Sequence, residues 1–312
     1  MNVSQVSLRD IEYIVAVSDE LHFGRAAIKL GVSQPTLSEQ IQKIEKKLDI
    51  KFFERSKRSV HITPEGLELL IIARRILTEA QSFIDVAKRR KGPLEGEFNL
   101  GAIATVGPYY FPFVISALKK AFPKLELIVH EGQTDILLKK LDQGELDAVI
   151  ASRTFDEKPY RVYSLYEERF WLAAPKNQTI KTKNGKVSVK DVDKDNLILL
   201  TDGNCLKDEI LNFCGLNKNT YKKTQGASLE TLRCLVASGI GQSFFPELAL
   251  TEDKKLRGLV AYYPFQEKSA KREIVLVARE QFHRPNDIRL LCQELKEQSA
   301  KLSINDYLHY KN

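Results

Sequence analysis

Cys205 and Cys214, nine positions apart in TDGNCLKDEILNFCG, are the residues of this chain best suited to chemistry. A thiolate attacks an electrophile, and its product with a peroxide, a sulfenic acid, condenses with a second thiol to a disulfide. The stretch between the two cysteines reads as a helix: Leu206, Ile210 and Phe213 recur at helical spacing, with Lys207, Asp208 and Glu209 on the other side. A rise of ~1.5 Å per residue sets the two Cα atoms about 13 Å apart, whereas a disulfide needs about 5.5–6 Å. If the helix forms, bonding the sulfurs must unwind it, and a redox reaction becomes a change of shape. Cys205 follows a Thr-Asp-Gly turn amid polar residues and reads as the reactive thiol. An ordinary thiol has a pKa of about 8.5, so Cys205 needs help to ionise. A helix N-terminus at Cys205–Leu206 and the nearby Lys207 are expected to supply it. Cys214 taken alone reads as a small buried hydrophobe, and Cys234 and Cys292 sit on apolar helix faces where that role is expected.

The elements that must hold these residues alternate strand with helix after Gly96. EFNLGAIAT reads as a strand, YYFPFVISALKKAF as a helix, LELIVHEGQ as a strand, TDILLKKLDQG as a helix and LDAVIAS as a strand. FWLAAP opens a second such unit. ETLRCLVASGIGQSFFP is a helix running into a glycine-bearing turn, and EIVLVARE and DIRLLCQELKEQSAKL close the chain as strand and helix. This rhythm argues an α/β sheet with covering helices. Ligands of such sheets lie beyond strand ends, near helix N-termini. Thr105 and Thr134 each follow a strand and precede a helix, so both can present a hydroxyl there or serve as ordinary helix caps.

The first ninety residues follow a different pattern. Leu8, Ile11, Ile14 and Val17 share one helical face, with Ser7 as N-cap and Asp10 three residues on. Phe23–Leu30 is a second short helix, and Gly31 a turn. Ser33 can cap a third helix with Pro35 in its first turn, turning Leu37, Ile41, Ile44 and Leu48 inward. Two helices joined by a tight glycine turn make a helix-turn-helix, whose second helix enters the DNA major groove by its N-terminal side chains. Gln34, Thr36 and Ser38 are polar and outward; Gln reads adenine bidentately, and Thr touches a thymine methyl. Two short β-prone runs then flank a basic tip of Arg55, Lys57 and Arg58, a wing expected to lie along the phosphates. With Lys43 included, residues 43–58 carry a net charge of +4, which positions a protein on DNA and makes binding salt-sensitive. Thr63-Pro64 opens a long helix running to about Arg90. Leu70, Leu77 and Ile84, and likewise Ala73, Ala80 and Ala87, recur every seven residues, a seam suited to pairing with a second copy. Gly92-Pro93 ends it.

Length and composition agree. A chain of 312 residues implies two or three domains. No apolar run is long enough to span a bilayer, and MNVSQVSLRD lacks a signal pattern, so a cytoplasmic location is expected, where thiols stay reduced. Four cysteines are too few for a disulfide scaffold, and their spacing suggests neither zinc nor a Cys-x-x-Cys redox motif. No metal or cofactor is expected. The net charge of +7 permits an acidic partner without proving one.

The stretch HFGRAAIKLGVSQPTLSEQIQKIEKKLDIKFFERSKRSVHITPEG strongly resembles the LysR-type transcriptional regulators, and the likeness extends over the whole chain. ATVGPYYFP, FPKLELIVHEGQT, LDQGELDAVI and TDGNCLKDEILNFCG resemble the branch of that family that senses peroxide. The resemblance implies a winged helix-turn-helix over 1–62, a linker and dimerisation helix over 63–92, and a regulatory domain over 93–312. That domain is expected to comprise two Rossmann-like subdomains, I at about 93–165 and 270–312 and II at about 166–269. The implied chemistry is oxidation of Cys205 by hydrogen peroxide and resolution by Cys214, in a pocket lined by Thr105, Thr134, Asn204, Asp208 and Arg272. The implied DNA-binding set is Ser33, Gln34, Pro35, Thr36, Ser38, Lys43, Arg55, Lys57 and Arg58. Implied partners are double-stranded promoter DNA, RNA polymerase and further copies of the chain in a dimer of dimers. Two departures stand out: Asn204 replaces a common His, and Glu209 a common Gln. Two other functions are compatible with parts of the chain. One is a regulator that binds a small organic anion in the same cleft, its cysteines incidental. The other, a thiol peroxidase, fits poorly with a complete DNA-binding module.

Overall fold

The computed structural model describes residues 6–55, 60–87, 92–217, 225–250 and 258–301. The chain forms two compact units that divide near residue 90, the short segment 142–144 grouping with the first.

The first unit is a winged helix-turn-helix: α1 (Leu8–Glu20), α2 (Phe23–Leu30), α3 (Gln34–Leu48), β1 (Phe53–Arg55), β2 (Val60–Ile62) and α4 (Pro64–Ala87). Ser7 and Asp10 form a reciprocal capping box on α1. The inward residues of α1, α2 and α3 meet in one core of Ile14, Val17, Phe23, Ala26, Leu37, Ile41 and Ile44, closed by Phe52 and Phe53 from the wing. β1 and β2 pair antiparallel, Phe53 opposite Ile62 and Arg55 opposite Val60. Lys57 and Arg58 lie outside the described residues, as does the side chain of Arg55.

The heptad rows of α4 do not form one free seam. Leu70 and Ala73 are buried, Leu70 in the core of this same unit, because α4 docks on α1 and Arg74 pairs with Asp19. Among the described residues, the large apolar side chains that α4 leaves exposed are Leu67, Ile71, Ile72, Ile76, Phe83 and Ile84, the side chain of Ala87 lying outside them. Only Ile84 among them belongs to the expected rows.

The second unit contains β3 (Gly96–Ile103), α5 (Gly107–Ala121), β4 (Leu125–Gly132), α6 (Thr134–Asp142), β5 (Ala148–Ser152), β6 (Tyr160–Pro175), β7 (Leu199–Leu200), α7 (Cys205–Cys214), β8 (Gln225–Gly226), α8 (Leu229–Ala237), β9 (Ser243–Pro246), β10 (Val260–Pro264), β11 (Lys271–Arg279) and α9 (Pro285–Lys301). Its main sheet runs β10-β6-β11-β5-β3-β4, with β9 also on β6. β3 pairs in parallel with β4 and β5, while β11 is antiparallel to both β5 and β6. FWLAAP opens the second α/β unit, as expected, while continuing a strand of the first. It is the C-terminal part of the 16-residue strand β6, which pairs with β11 along its first part and with β9 and β10 along its last. No Gly or Pro interrupts Tyr160–Ala174, so nothing breaks the strand. Two apolar cores result. One gathers β3, β5, α5 and α9 around Phe98, Val149, Leu276 and Leu291; the other gathers α7, α8 and β9 around Leu199, Ile210, Leu232 and Phe244. Among the described residues, no helix is long and apolar enough to cross a membrane.

Candidate functional site

Helix α7 begins at Cys205 and ends at Cys214, so the two sulfurs mark its two ends. Both are free thiols. The turn before the helix needs Gly203: its φ is 88°, and a Cβ there would lie 2.5 Å from the Gln133 side chain. The helix closes at Gly215, at φ 63°, whose N–H donates to Asn212, while Leu216 N–H donates to Leu211 at 2.8 Å. Lys194 Nζ donates to the Cys214 carbonyl at 2.7 Å and pins this end. Leu206, Ile210, Leu211 and Cys214 are buried in the second core, whereas Cys205 packs against the first. One helix therefore ties one sulfur to each core.

Around Cys205 stand Thr134, the first residue of α6, Arg272 from β11, Glu209 one turn further along α7, and the backbone N–H of Leu206. The Thr134 hydroxyl is buried beside the sulfur and favours the thiolate, yet completes no hydrogen bond with it. Arg272 is buried and fully engaged. Its Nε donates to Glu168 Oε1 at 2.8 Å, Nη1 to Thr105 Oγ1 at 2.9 Å and Nη2 to the Thr105 carbonyl at 3.0 Å. Burial works against the guanidinium charge, but Glu168, Glu209 and Cys205 outweigh it, so the Arg272 pKa is raised. Glu209 accepts a hydrogen bond from Ser152 Oγ at 2.6 Å. Burial raises its carboxyl pKa, against the lowering effect of Arg272 and Ser152.

Cys205 does not carry the lowered pKa expected of a helix N-terminus. Burial, and then the negative charge of Glu209, raise it, and Arg272, Thr134 and the Leu206 N–H only partly compensate. As a residue Cys205 keeps some surface, but its surroundings are dense enough for burial to dominate. Lys207 gives no direct help: it is buried and paired to Asp202 at 2.8 Å. Asn204 occupies the N-cap position, yet its amide donates to the Thr201 carbonyl at 2.9 Å rather than meeting the sulfur, and its side chain caps no helix N–H. Asp208 is half-buried on α7, and its charge adds to the raising of Glu209. Cys292 is buried as expected, but Cys234 is exposed, because α8 turns Leu229, Leu232, Arg233 and Val236 inward instead.

Sequence reasoning missed Glu168 and Ser152. Glu168 shares a strand face with Phe170 and Leu172, both buried, so period-two alternation through YEERFWL carried a signal that the charge run concealed. Ser152 had none beyond its place at the end of β5.

In the first unit, Ser33 Oγ accepts from the Thr36 N–H at 3.3 Å and bonds the Thr36 hydroxyl at 2.7 Å, fixing the start of α3. Gln34, Pro35 and Thr36 are exposed on that first turn, and Ser38 is half-buried. Lys43 makes an exposed ion pair with Glu39 at 2.7 Å. Such pairs contribute roughly 0–1 kcal/mol, so this one adds little to stability.

Residues 91–300 match the LysR substrate binding domain, and residues 8–67 match the bacterial regulatory helix-turn-helix protein of the lysR family. The chain belongs to the LysR family. This LysR protein is 38% identical over 277 residues to the hydrogen peroxide-inducible genes activator of Dickeya chrysanthemi, covering 88% of this chain and 90% of that one. A full-length OxyR variant from Pseudomonas aeruginosa superimposes with a TM-score of 0.76 at 34% identity, over 93% of this chain and 97% of that one. An OxyR mutant from Corynebacterium glutamicum with H2O2 bound gives 0.63 at 30% identity, over 95% and 93%. This LysR chain is thus similar, over most of its length, to regulators of the OxyR type.

Proposed function

We propose that the chain is a cytoplasmic, DNA-binding transcriptional activator that senses hydrogen peroxide through Cys205 and stores the signal as a Cys205–Cys214 disulfide. One observation carries this reading: two free thiols at opposite ends of a single helix, each packed against a different core. The likeness to hydrogen peroxide-inducible activators supports it. The thiolate of Cys205 attacks one peroxide oxygen, and the other leaves as water once protonated. Sulfenic acid and the Cys214 thiol then form the disulfide with loss of a second water.

Across nine residues of helix the Cα atoms are about 13 Å apart, and a disulfide tolerates at most about 6.8 Å. Helix α7 must therefore unwind and withdraw Cys214 from its place among Ile210, Leu211 and Phe213 in the second core. Expected consequences extend through the 205–224 segment, of which 218–224 lie outside the described residues. The change is a covalent bias on a two-state element, read out through the contacts between copies in a dimer of dimers and, at the promoter, by RNA polymerase. Thr105, Thr134, Asp208 and Arg272 are the proposed pocket; Asn204 is a backbone-turn residue beside it. Ser33, Gln34, Pro35, Thr36 and Ser38, at the start of α3, are the proposed base-facing set, with Lys43, Arg55, Lys57 and Arg58 on phosphates.

The organic-anion reading finds less support. Arg272, the buried cation at this site, is neutralised by Glu168 at 2.6 Å and offers no spare charge to an incoming carboxylate. Mass-spectrometric thiol mapping of the full-length chain before and after a peroxide pulse tests the proposal. A Cys205–Cys214 bond with Cys234 and Cys292 still reduced is the expected result. Four thiols unchanged by the pulse would end it.

A further inference from the structure

Glu209 lies one turn after Cys205 on α7, so the two side chains share a helix face. Its carboxyl is enclosed. Oε1 receives the Ser152 hydroxyl, while Oε2 is buried and has no hydrogen-bond partner. A buried carboxylate oxygen that no protein group pairs is expensive, and binding a proton relieves it. The groups that act on this carboxyl are Asp208 on its own helix, Ser152 on β5, Arg272 on β11 and Glu168 on β6, and Glu209 in turn acts on Cys205. Arg272 is the cation of this set, and Glu168 already balances it. The Cys205–Glu209 pair can thus hold one negative charge far more easily than two, and the proton between them belongs to the pair.

We infer that Glu209 is the proton shuttle of the reaction at Cys205, its carboxylate taking the thiol proton and the resulting acid returning that proton to the departing peroxide oxygen. The inference rests on the peroxide-sensing reading above. In the first step the Cys205 S–H bond breaks and a Glu209 O–H bond forms, leaving thiolate beside carboxylic acid. In the second, a sulfur electron pair forms the S–O bond, and the O–O bond breaks with its pair on the far oxygen. Glu209 protonates that oxygen, and water leaves. The sum is thiol plus hydrogen peroxide giving sulfenic acid plus water, sulfur losing two electrons and peroxide gaining them. Glu209 ends as the carboxylate it began as. Burial raises the pKa of both groups and Glu209 raises Cys205 further, which suits a pair that exchanges one proton internally. A glutamine here can donate a hydrogen bond but cannot take up the thiol proton.

The test compares two reagents on the reduced full-length chain. Iodoacetamide needs a thiolate, but its leaving iodide needs no proton; hydrogen peroxide needs both. Glu209→Gln is expected to speed alkylation of Cys205 and slow its oxidation, lowering the ratio of the two rate constants by about 10²-fold, the scale of general acid–base catalysis. Glu209→Asp is expected to recover part of the ratio, and Ser152→Ala, which frees the carboxyl without changing its charge, to lower it less. As pH rises, the wild-type oxidation rate should pass through a maximum while alkylation keeps climbing; in Glu209→Gln the two should climb together. An unchanged ratio in Glu209→Gln, with wild-type Cys205 still oxidised, overturns the shuttle alone. Wild-type Cys205 that alkylates but stays inert to peroxide overturns the sensing reading and the shuttle with it.

Discussion

Arg272 Nη2 and Glu168 Oε1 stand 2.6 Å apart on facing positions of β11 and β6, both side chains out of reach of solvent. Each is also held from elsewhere: Arg272 by Thr105, and Glu168 by the Leu248 N–H at 3.3 Å. The pair joins the strand crossing both cores to the turn that carries Thr105. Breaking one half of such a buried pair leaves the other charge stranded, which costs about 3–5 kcal/mol. Glu168→Ala should therefore lower the urea-unfolding free energy by that much. Glu168→Leu combined with Arg272→Met should recover most of it. A loss for Glu168→Ala within the range of an exposed pair, roughly 0–1 kcal/mol, would show that the charge finds water.

Stability should fall in alkali, and the thiol of Cys214 explains why. Burial pushes its pKa up to about 11, against the partial help of Lys194, whereas an unfolded thiol titrates near 8.5. Below the unfolded value both states keep the proton and the full stability is present. Between the two values the unfolded chain ionises and the folded chain does not, so stability drains away as pH climbs through about 11. The gap of about 2.5 between these two values corresponds to roughly 3 kcal/mol. Cys205, also raised by burial, acts in the same direction. Urea midpoints of the reduced protein should decline from pH 8 to pH 11, and Cys214→Ala should flatten much of that decline. Midpoints that rise over the same window would contradict the assignment.

What could be read from the chain alone follows the reach of each signal. Helices α1, α2 and α3 were legible because their caps and apolar spacing lie within a few residues, as with Ser33, Pro35 and Leu37. Helix α7 was legible from Leu206 and Ile210 for the same reason. The titration of Cys205 was not, because its largest cause is enclosure by elements distant in sequence, and the groups that partly compensate, Thr134 and Arg272, arrive from α6 and β11. Glu168 escaped because its partner is 104 positions away. The inward turn of Leu70 and Ala73 also escaped: a seven-residue repeat marks a face without saying what covers it.

Replacing either cysteine should stop the switch at a different point. Cys205→Ser removes the nucleophile. The variant should bind operator DNA as the reduced wild type does and fail to respond to peroxide in a footprint. Cys214→Ser keeps the nucleophile and removes the resolving thiol, so Cys205 should halt as a sulfenic acid that dimedone captures, or oxidise further. An intramolecular disulfide in Cys214→Ser would point to Cys234 or Cys292 as the partner. Cys234 is the exposed one of these two.

DNA binding offers a separate test, because base readers and phosphate contacts fail differently. Gln34 is exposed on the first turn of α3, where Ser33 and Thr36 fix the backbone. A bidentate contact to a base is worth about 1–3 kcal/mol of discrimination. Gln34→Ala should therefore weaken binding to the preferred operator and leave nonspecific affinity and its salt dependence unchanged. Arg55, in the wing, is assigned to phosphate. Arg55→Ala should weaken binding to every sequence and flatten the plot of log affinity against log salt by about one unit. Ser33→Ala removes the cap that orders this turn, costing about 1 kcal/mol of stability, and should reduce specific binding through loss of order at Gln34. Salt titrations on operator and scrambled duplexes separate these outcomes. If Arg55→Ala impairs the operator alone, or Gln34→Ala impairs both duplexes equally, the two roles are assigned to the wrong residues.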